Sequence, residues 1–453
     1  MKKLIFFLTI FNGPLCWSQS DGLVESAQDT LKRGVGYFHS INIHGGYVYF
    51  VATDFSRRWG EGPTDENTIE VQPPGTPAVG QSFLKAYRTT GDKFALKAAR
   101  EAAYALIRGQ NDWGGWEHTI RFSGPKRNTV SFDDDQTQSA ISFLIALDQE
   151  VDDDRLSKAV QRALDMMLLT QLDNGGWPHK YPEQGNYHDY ATFNDEGIND
   201  CIRVMIEAYQ NYDDERFEKS LRKVARFLMV SQLPPPQPGW AQQYNEFLQP
   251  AWARAFEPPA VCPMVTINNI NSLIDLYEVL SEDAYLEPIP DPIRWLEDIR
   301  LENGMWARFV ELGTGKPLYY DRGRIRVDTL DQLHPERRTG YSYQTDLSDR
   351  LEACKERFEQ VTKKGSTGTN SNEGPVSDTR LKSLAKKVEE IIDSQEASGA
   401  WITRSDRFKK KMPPGVRWNG QYEVMDRISS AVFNENVSVL CEFLYLHGKM
   451  ESQ

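Results

Sequence analysis

Cysteine is scarce and unpatterned in this chain. Of five cysteines, Cys16 falls in the N-terminal segment, and Cys201, Cys262, Cys354 and Cys441 are too widely spaced for a CxxC pair or a zinc pattern. The four beyond the N-terminal segment are an even count that permits disulfides, but a chain this long needs no staples, and mostly free, buried thiols are expected. Positive charge is in deficit: 52 Lys and Arg stand against 65 Asp and Glu, a formal net charge of −13. That balance excludes a general binder of nucleic acid or anionic membranes. An acidic polymer would have to be held by a local cationic site, a metal, or both. No apolar run is long enough to span a bilayer, and the longest, Leu4 to Phe11, is short. There is no Walker loop, GxGxxG, HExxH or Ser-His-Asp elbow. Strand signals are few, the best being Tyr47–Val51 and Arg308–Val310.

What the chain does contain is a leader, helices in pairs and many aromatics. Lys2 and Lys3 before the apolar run make residues 1–18 a signal peptide, with a secreted or periplasmic destination expected. Hydrophobic residues make up 40% and aromatic residues 11% of the 453, enough for a sizeable core. Aromatic rings also suit sugar-binding clefts. Apolar residues recur at helical spacing over Ser26–Ile41, Pro77–Thr90, Phe94–Arg108, Thr137–Leu147, Leu156–Leu172, Gly197–Tyr209, Phe217–Val230, Asn268–Leu280, Ile293–Leu301, Leu381–Ile392 and Ser430–Tyr445. Lys363–Arg380 is rich in Ser, Thr, Gly and Asn and is expected to be a flexible loop.

The helix pairs end alike. Gln110 precedes Trp113-Gly114-Gly115-Trp116, Gln171 precedes Asn174-Gly175-Gly176-Trp177, Gln232 precedes Pro238-Gly239-Trp240, and Glu302 precedes Asn303-Gly304-Met305-Trp306. The tryptophans Trp116, Trp177, Trp240 and Trp306 follow one another at 61, 63 and 66 residues. A repeated helix hairpin closed by a Gly-Trp turn predicts an all-α toroid of helix hairpins with long, irregular loops, occupying 19–453 as one domain. Most of these indoles are expected to pack against their own hairpin. A sugar platform is the other role open to them, and Trp177 is the candidate for it.

Two acidic motifs recur at the same period. Ser131-Phe132-Asp133-Asp134-Asp135 places three carboxylates before a helix, and Thr192-Phe193-Asn194-Asp195-Glu196 repeats the device. Helix capping alone would use one such residue, whereas clustered hard oxygen donors suit Ca²⁺. Asp133 and Asp195 lie 62 residues apart, so both should face one mouth of the toroid and bind metal. Arginines cluster elsewhere: Arg254; Arg322, Arg324 and Arg326; and Arg337 with Arg338. The planar guanidinium fork suits carboxylate recognition, and surface ion pairing is the competing role. His179, in Trp177-Pro178-His179-Lys180-Tyr181, is expected to be a structural ring.

Taken together these segments resemble the family 10 pectate lyases. Asn174-Gly175-Gly176-Trp177-Pro178 with Thr192-Phe193-Asn194-Asp195 is similar to that family's central signature. Ser131-Phe132-Asp133 is similar to its earlier Asp motif, and Ala253-Arg254-Ala255-Phe256-Glu257-Pro258-Pro259 and Glu336-Arg337-Arg338-Thr339-Gly340-Tyr341 to its two Arg motifs. The resemblance runs in order from about Gln72 to Tyr343. It implies an (α/α)₃ toroid that cleaves polygalacturonate by β-elimination with Ca²⁺. It also implies a metal and substrate role for Asp133 and Asp195, a substrate-carboxylate arginine at Arg254, and a base within Arg337-Arg338. Further substrate contacts would come from Arg322, Arg324, Lys180 and Trp177. The chain departs from the family pattern at Asp321-Arg322-Gly323-Arg324, where an Arg-Asp-Gly motif is expected, and at Asp134-Asp135, where Asn-Gly is expected. A monomer acting on an acidic polysaccharide is expected. The alternatives are a lyase on another uronate polymer such as ulvan or alginate, an inverting toroid hydrolase using Asp134 and Asp195, and a non-catalytic carbohydrate-binding toroid.

Overall fold

The computed structural model describes residues 15–365, 378–413, 416 and 418–451. Residues 1–14 of the expected leader and 366–377 of the expected flexible loop therefore lie outside the described residues. Thirteen α-helices occur among the described residues: α1 Leu15–Ser40, α2 Thr76–Thr90, α3 Lys93–Gly109, α4 Gln136–Asp148, α5 Asp154–Thr170, α6 Gly197–Asn211, α7 Glu215–Ser231, α8 Pro263–Leu280, α9 Pro290–Asp298, α10 Pro335–Gly340, α11 Ser348–Lys364, α12 Asp378–Ser394 and α13 Ser430–Glu451. Their ends follow from local chemistry. Pro77 opens α2, and Gly91 ends it in the left-handed conformation at φ 72°, its N–H donating to Tyr87 O. Asp92, Asp153 and Asp214 cap α3, α5 and α7 by accepting backbone N–H groups.

The helices sort into two layers by how much of each is buried. Helices α4 and α8 bury residues on nearly every side, including Gln136, Thr137, Gln138 and Asn269, the pattern of a helix surrounded by others. Helices α5 and α7 bury one stripe each, for example Leu156, Ala159, Val160, Ala163 and Met167. Contacts follow the same division. Helix α13 packs on α2, α2 on α4, α4 on α6, α6 on α8 and α8 on α11, while α3, α5, α7 and α9 lie against α2, α4, α6 and α8. Helices α1 and α12 both pack on α13, so the two ends of the chain meet.

A repeated clasp fixes each hairpin. The indole N–H of Trp116 donates to Leu106 O at 2.9 Å, that of Trp177 to Met167 O at 2.9 Å, that of Trp240 to Leu228 O at 2.8 Å and that of Trp306 to Leu296 O at 2.7 Å. A fifth copy lies at Ser398-Gly399-Ala400-Trp401, where Trp401 donates to Ile391 O at 3.0 Å. The glutamine before the turn does the second half of the work. Gln171 Nε2 donates to Gly175 O in its own turn and to Ser220 O on α7. Gln110 reaches Gly114 O and Ala159 O, and Gln395 reaches Gly399 O and Thr30 O on α1. Gly175 adopts φ 105°, and a Cβ there would lie 2.4 Å from Lys223 O, so only glycine lets the turn sit on the next hairpin. Trp177 is fully buried within this clasp. That corrects its expected role as a sugar platform, because no face of the ring reaches solvent. The four cysteines Cys201, Cys262, Cys354 and Cys441 are free and buried, as expected.

Strand content exceeds the expectation. Tyr47–Val51 contributes only Phe50–Ala52, and Arg308–Val310 contributes a bridge at Val310 beside the strand Trp306–Ala307. The main addition is a long antiparallel hairpin, Ile402–Lys409 with Tyr422–Ser429. It continues through Phe50–Ala52, Arg58–Trp59 and Pro63–Thr64 into a five-stranded sheet.

Replacing Trp177 by Ala should cost about 3–5 kcal/mol of stability, as for other large-to-small changes at fully buried aromatics. Thermal or denaturant unfolding measures this, and a neutral result would mean that the clasp does not hold the hairpin.

Candidate active site

The site residues lie on the segments between the outer and inner helices, and those segments are laced together. Ser131 N donates to Trp116 O, Thr192 N to Trp177 O and Cys262 N to Trp240 O. Each segment also bonds to the next repeat, Phe132 N to His179 O and Phe193 N to Gln242 O, both at 2.8 Å. This lacing carries the two acidic motifs to the same place. Asp133, Asp134 and Asp195 each bring a carboxylate oxygen to within 4.8 Å of the others. The common mouth expected for Asp133 and Asp195 is therefore observed.

The equivalence between the motifs differs by one residue from the expected one. Asp134 and Asp135 have φ of 49° and 55°, and Asp195 and Glu196 have φ of 46° and 63°. By backbone conformation Asp134 corresponds to Asp195 and Asp133 to Asn194, at the 61-residue interval of Trp116 and Trp177. Consecutive left-handed non-glycine residues are costly and concentrate at functional sites. Capping does not explain them, because neither motif makes a side-chain cap hydrogen bond to its helix. Asp135 is turned away into a separate ion cluster, bonding Arg203 at 2.6 Å beside Asp200.

The electrostatics of the acidic cluster are unfavourable as they stand. Burial pushes the Asp134 carboxyl up to about 7, with Asp133, Asp195 and Glu61 adding repulsion. Asp195 is likewise raised, by burial first, with Arg308 and Arg254 opposing. Asp133 Oδ1 and its counterpart Asn194 Oδ1 are buried and have no donor among the described residues. Three carboxylates and two unpaired acceptor oxygens in one place fit a hard divalent cation of the Ca²⁺ type. They do not fit an inverting hydrolase pair, which needs carboxyl groups about 6.5–9.5 Å apart to admit a water.

Arginines approach the cluster from the other side. Arg254 Nη2 lies 3.9 Å from Asp195 Oδ2 and Arg308 Nη2 lies 4.0 Å from Asp195 Oδ1. Arg254 also pairs with the buried Glu257 at 2.7 Å, and Glu257 accepts the Tyr341 hydroxyl at 2.5 Å. Burial works against the Arg254 charge, but Glu257 outweighs it and holds the guanidinium protonated. Arg308 stacks over Tyr341 at 4.4 Å, its Nε is buried without a partner among the described residues, and it makes no carboxylate contact closer than that to Asp195. Sequence reasoning missed Arg308. Its signal was its position two residues after Trp306, matching His179 after Trp177.

The remaining expected residues divide. Arg337 is buried, bonds Glu336 at 3.2 Å and lies over Phe256 at 4.3 Å and Tyr341 at 5.3 Å. Arg322 shares both Glu336, at 3.0 Å, and the Phe256 ring. Arg338 is exposed and donates to Asp331 O at 3.2 Å. Arg324 lies over Trp252 at 4.6 Å. Lys180 is half-buried on the strand paired with Ser131. His179 is buried, bonds Gln243 at 2.8 Å and has its pKa lowered by burial, a structural ring as expected. Beside Asp195, Arg308 and Gln242 line a cavity of about 230 Å³ with Asn194, Trp306 and Arg350.

The profile of the pectic acid lyase family matches residues 113–303 and 294–351, which include the acidic cluster and Arg254, Arg308 and Arg337. A family 10 polysaccharide lyase from Cellvibrio cellulosa, solved as a D189A mutant in complex with trigalacturonic acid, superimposes with a TM-score of 0.51 at 19% identity, covering 63% of this chain and 98% of that one. A second structure of a family 10 polysaccharide lyase from Cellvibrio cellulosa gives 0.50 at 20% identity, covering 62% and 97%. A D-mannose isomerase superimposes over 97% of this chain and 99% of its own with a TM-score of 0.50 at 13% identity. At these identities the structures show the shared helical fold alone. No curated protein matches the sequence significantly. The protein is a polysaccharide lyase by class. It belongs to the pectic acid lyase family, whose profile covers more than half of the chain.

The raised Asp134 pKa has a consequence for stability. A carboxyl that titrates near 3.8 when unfolded and near 7 when folded is protonated in the native state while the unfolded chain has already released its proton. The metal-free protein should therefore lose stability as pH rises from about 4 to about 7. Unfolding in EDTA across that range should show the fall, and Ca²⁺ near pH 7 should reverse it. An EDTA profile that rises through the window, or no response to Ca²⁺, would count against the cluster as a metal site.

Proposed function

We propose that this chain is an exported, Ca²⁺-dependent lyase that cleaves pectate by β-elimination with an arginine base, acting as a monomer. Hairpins α4/α5, α6/α7 and α8/α9 would form the (α/α)₃ toroid of the family, with the other helices extending it. Export is supported by Lys2, Lys3 and the apolar run after them. The observation that carries the activity is the meeting of opposites at Asp195: three carboxylates gather on one side, and Arg254 and Arg308 reach it from the other at 3.9 and 4.0 Å. A uronate carboxylate needs both a cation and a guanidinium fork.

Asp133, Asp134 and Asp195 would hold the metal. A bound Ca²⁺ supplies positive charge to the uronate carboxylate, which makes the adjacent C5 proton more acidic. Arg254, kept charged by Glu257, orients that carboxylate. The base takes the C5 proton, the C4–O4 bond breaks, a C4=C5 double bond forms, and the departing oxygen is protonated. An arginine can act as base only where its neutral form is made accessible. Arg254 does not qualify, because Glu257 holds it protonated. Arg308 is the candidate the geometry favours: it reaches Asp195 at 4.0 Å, its Nε has no partner among the described residues, and it has no closer carboxylate. Arg337, tied to Glu336 and layered on Phe256, is the second candidate, and Arg322 completes its cationic group.

Arg308→Lys should remove about three decades of turnover, roughly 4 kcal/mol of barrier, while binding of oligogalacturonate persists. Arg338→Lys should be close to wild type. Single-turnover kinetics on Lys variants at 254, 308, 337 and 338 decides the assignment. A wild-type rate for Arg308→Lys with a collapse for Arg337→Lys would move the base to Arg337.

Asp195→Asn should lose activity strongly with its helical circular dichroism intact, because it removes the charge shared by the metal cluster and both arginines. Full activity of this variant, or of the wild type in excess EDTA, would overturn the calcium assignment.

A further inference from the structure

The hairpin Ile402–Lys409/Tyr422–Ser429 lies outside the residues that the family profile matches, and it touches both sides of the site. It is rigidly rooted. Arg427 is buried with its guanidinium over Phe50 at 3.7 Å and over Phe408 at 3.8 Å, and it bonds Asp406. Arg57 pairs with Glu423 at 2.8 Å, and the Trp59 ring meets Phe408 edge-on at 5.5 Å.

From that root the strand and the residues just after it run between two rims. On one rim, the Lys411 ammonium lies against Gly62, 2.0 Å from where a Cβ there would stand. Lys411 also acts on the buried Glu70, and Glu61, beside Gly62, acts on Asp134. On the other rim, the Lys409 ammonium lies 3.1 Å from where a Cβ on Gly340 would stand. Gly340 ends α10, the helix that carries Arg337. The hairpin therefore joins the Asp134 side of the site to the Arg337 side. Strand alternation places Arg407 and Lys409 on one face and Phe408 on the other, and Lys411 follows just beyond the end of the strand. In a chain of net charge −13, this face is a local concentration of positive charge next to an acidic cluster.

A polymer lying between the acidic cluster and the arginines cannot run on past the point where the hairpin joins those two sides. We propose that the hairpin closes one end of the uronate groove, so that the enzyme engages its substrate by a chain end, with Lys409 and Lys411 meeting the carboxylate of the terminal uronate. The inference rests on the lyase reading above and adds to it the mode of attack and the residues that set it.

The full-length protein is assayed on polygalacturonate with Ca²⁺, following the ultraviolet absorbance of the unsaturated product and the viscosity together. Chain-end attack gives rising absorbance with little loss of viscosity, and one dominant short unsaturated product throughout. A rapid fall in viscosity with a ladder of product sizes would overturn the proposal while leaving the lyase reading intact. The absence of any unsaturated product from polygalacturonate would instead remove the pectate-lyase reading and this inference with it. The double variant Lys409→Ala, Lys411→Ala removes two exposed charges without placing a new carboxylate beside Glu70, and should stay folded. Its KM for trigalacturonate should rise about tenfold or more. An unchanged KM in the folded double variant would also overturn the proposal.

Discussion

The indole-to-carbonyl hydrogen bond of the Gly-Trp turn is the constraint on which this structure depends. Each buried tryptophan ties the end of a hairpin back to the helix it has just left, at Leu106, Met167, Leu228, Leu296 and Ile391. A single such bond contributes about 0.5–1.5 kcal/mol net, but leaving a buried indole N–H unpaired would cost more, so the turn has one geometry. The glutamine before it then fixes the turn to the following hairpin, as Gln171 does at Ser220 and Gln395 at Thr30. The last of these bonds joins the C-terminal part of the chain to α1. Repeats that would otherwise be held only by side-chain packing are thus registered by backbone carbonyls.

Register at the turns becomes geometry at the site. After the Trp116 and Trp177 turns the next strand bonds the tryptophan carbonyl, through Ser131 and Thr192, and the residue beyond it bonds the neighbouring repeat. Asp134 and Asp195 therefore start from equivalent places on adjacent inner helices, and both sit in left-handed conformations that neither would adopt alone. The strain and the crowding of charge have the same origin. A rigid scaffold over-determines these backbones, and the carboxylates converge because the scaffold does not let them move apart.

The sequence was legible where a short-range rule applied. Helix pairing, the Gly91 stop of α2, the Gly-Trp turns, the burial of free cysteines and the common mouth of the two acidic motifs all follow from spacing and turn chemistry. The slip of one residue between the motifs arose because Asp-Asp-Asp offers three alignments to Asn-Asp-Glu, and only backbone conformation selects Asp134 as the partner of Asp195. Trp401 escaped notice because its spacing from Trp306 breaks the period and its turn reads Ser-Gly-Ala-Trp. Arg308 had only a positional signal, two residues after Trp306, and no acidic or cationic motif around it. What places it at the site is its approach to Asp195, 113 positions earlier in the chain. The hairpin at 402–429 was hidden because its strands are rich in charge, with Arg427 and Phe408 packing through long-range contacts that no local pattern announces.

Glu257 explains how arginines of one cleft can do different work. It is buried, yet two hydrogen bonds, from Arg254 and Tyr341, keep its pKa below the ordinary carboxylate value. Its charge is thereby committed to Arg254, which becomes a fixed cation suited to gripping a carboxylate. Arg308 shares the Tyr341 ring with Arg254 but has no carboxylate of its own closer than Asp195. A ligand on Asp195, whether cation or uronate, would therefore perturb Arg308 more than Arg254. The two arginines differ in which of them owns a buried counter-charge. Arg337, which shares Glu336 with Arg322, stands between these two extremes.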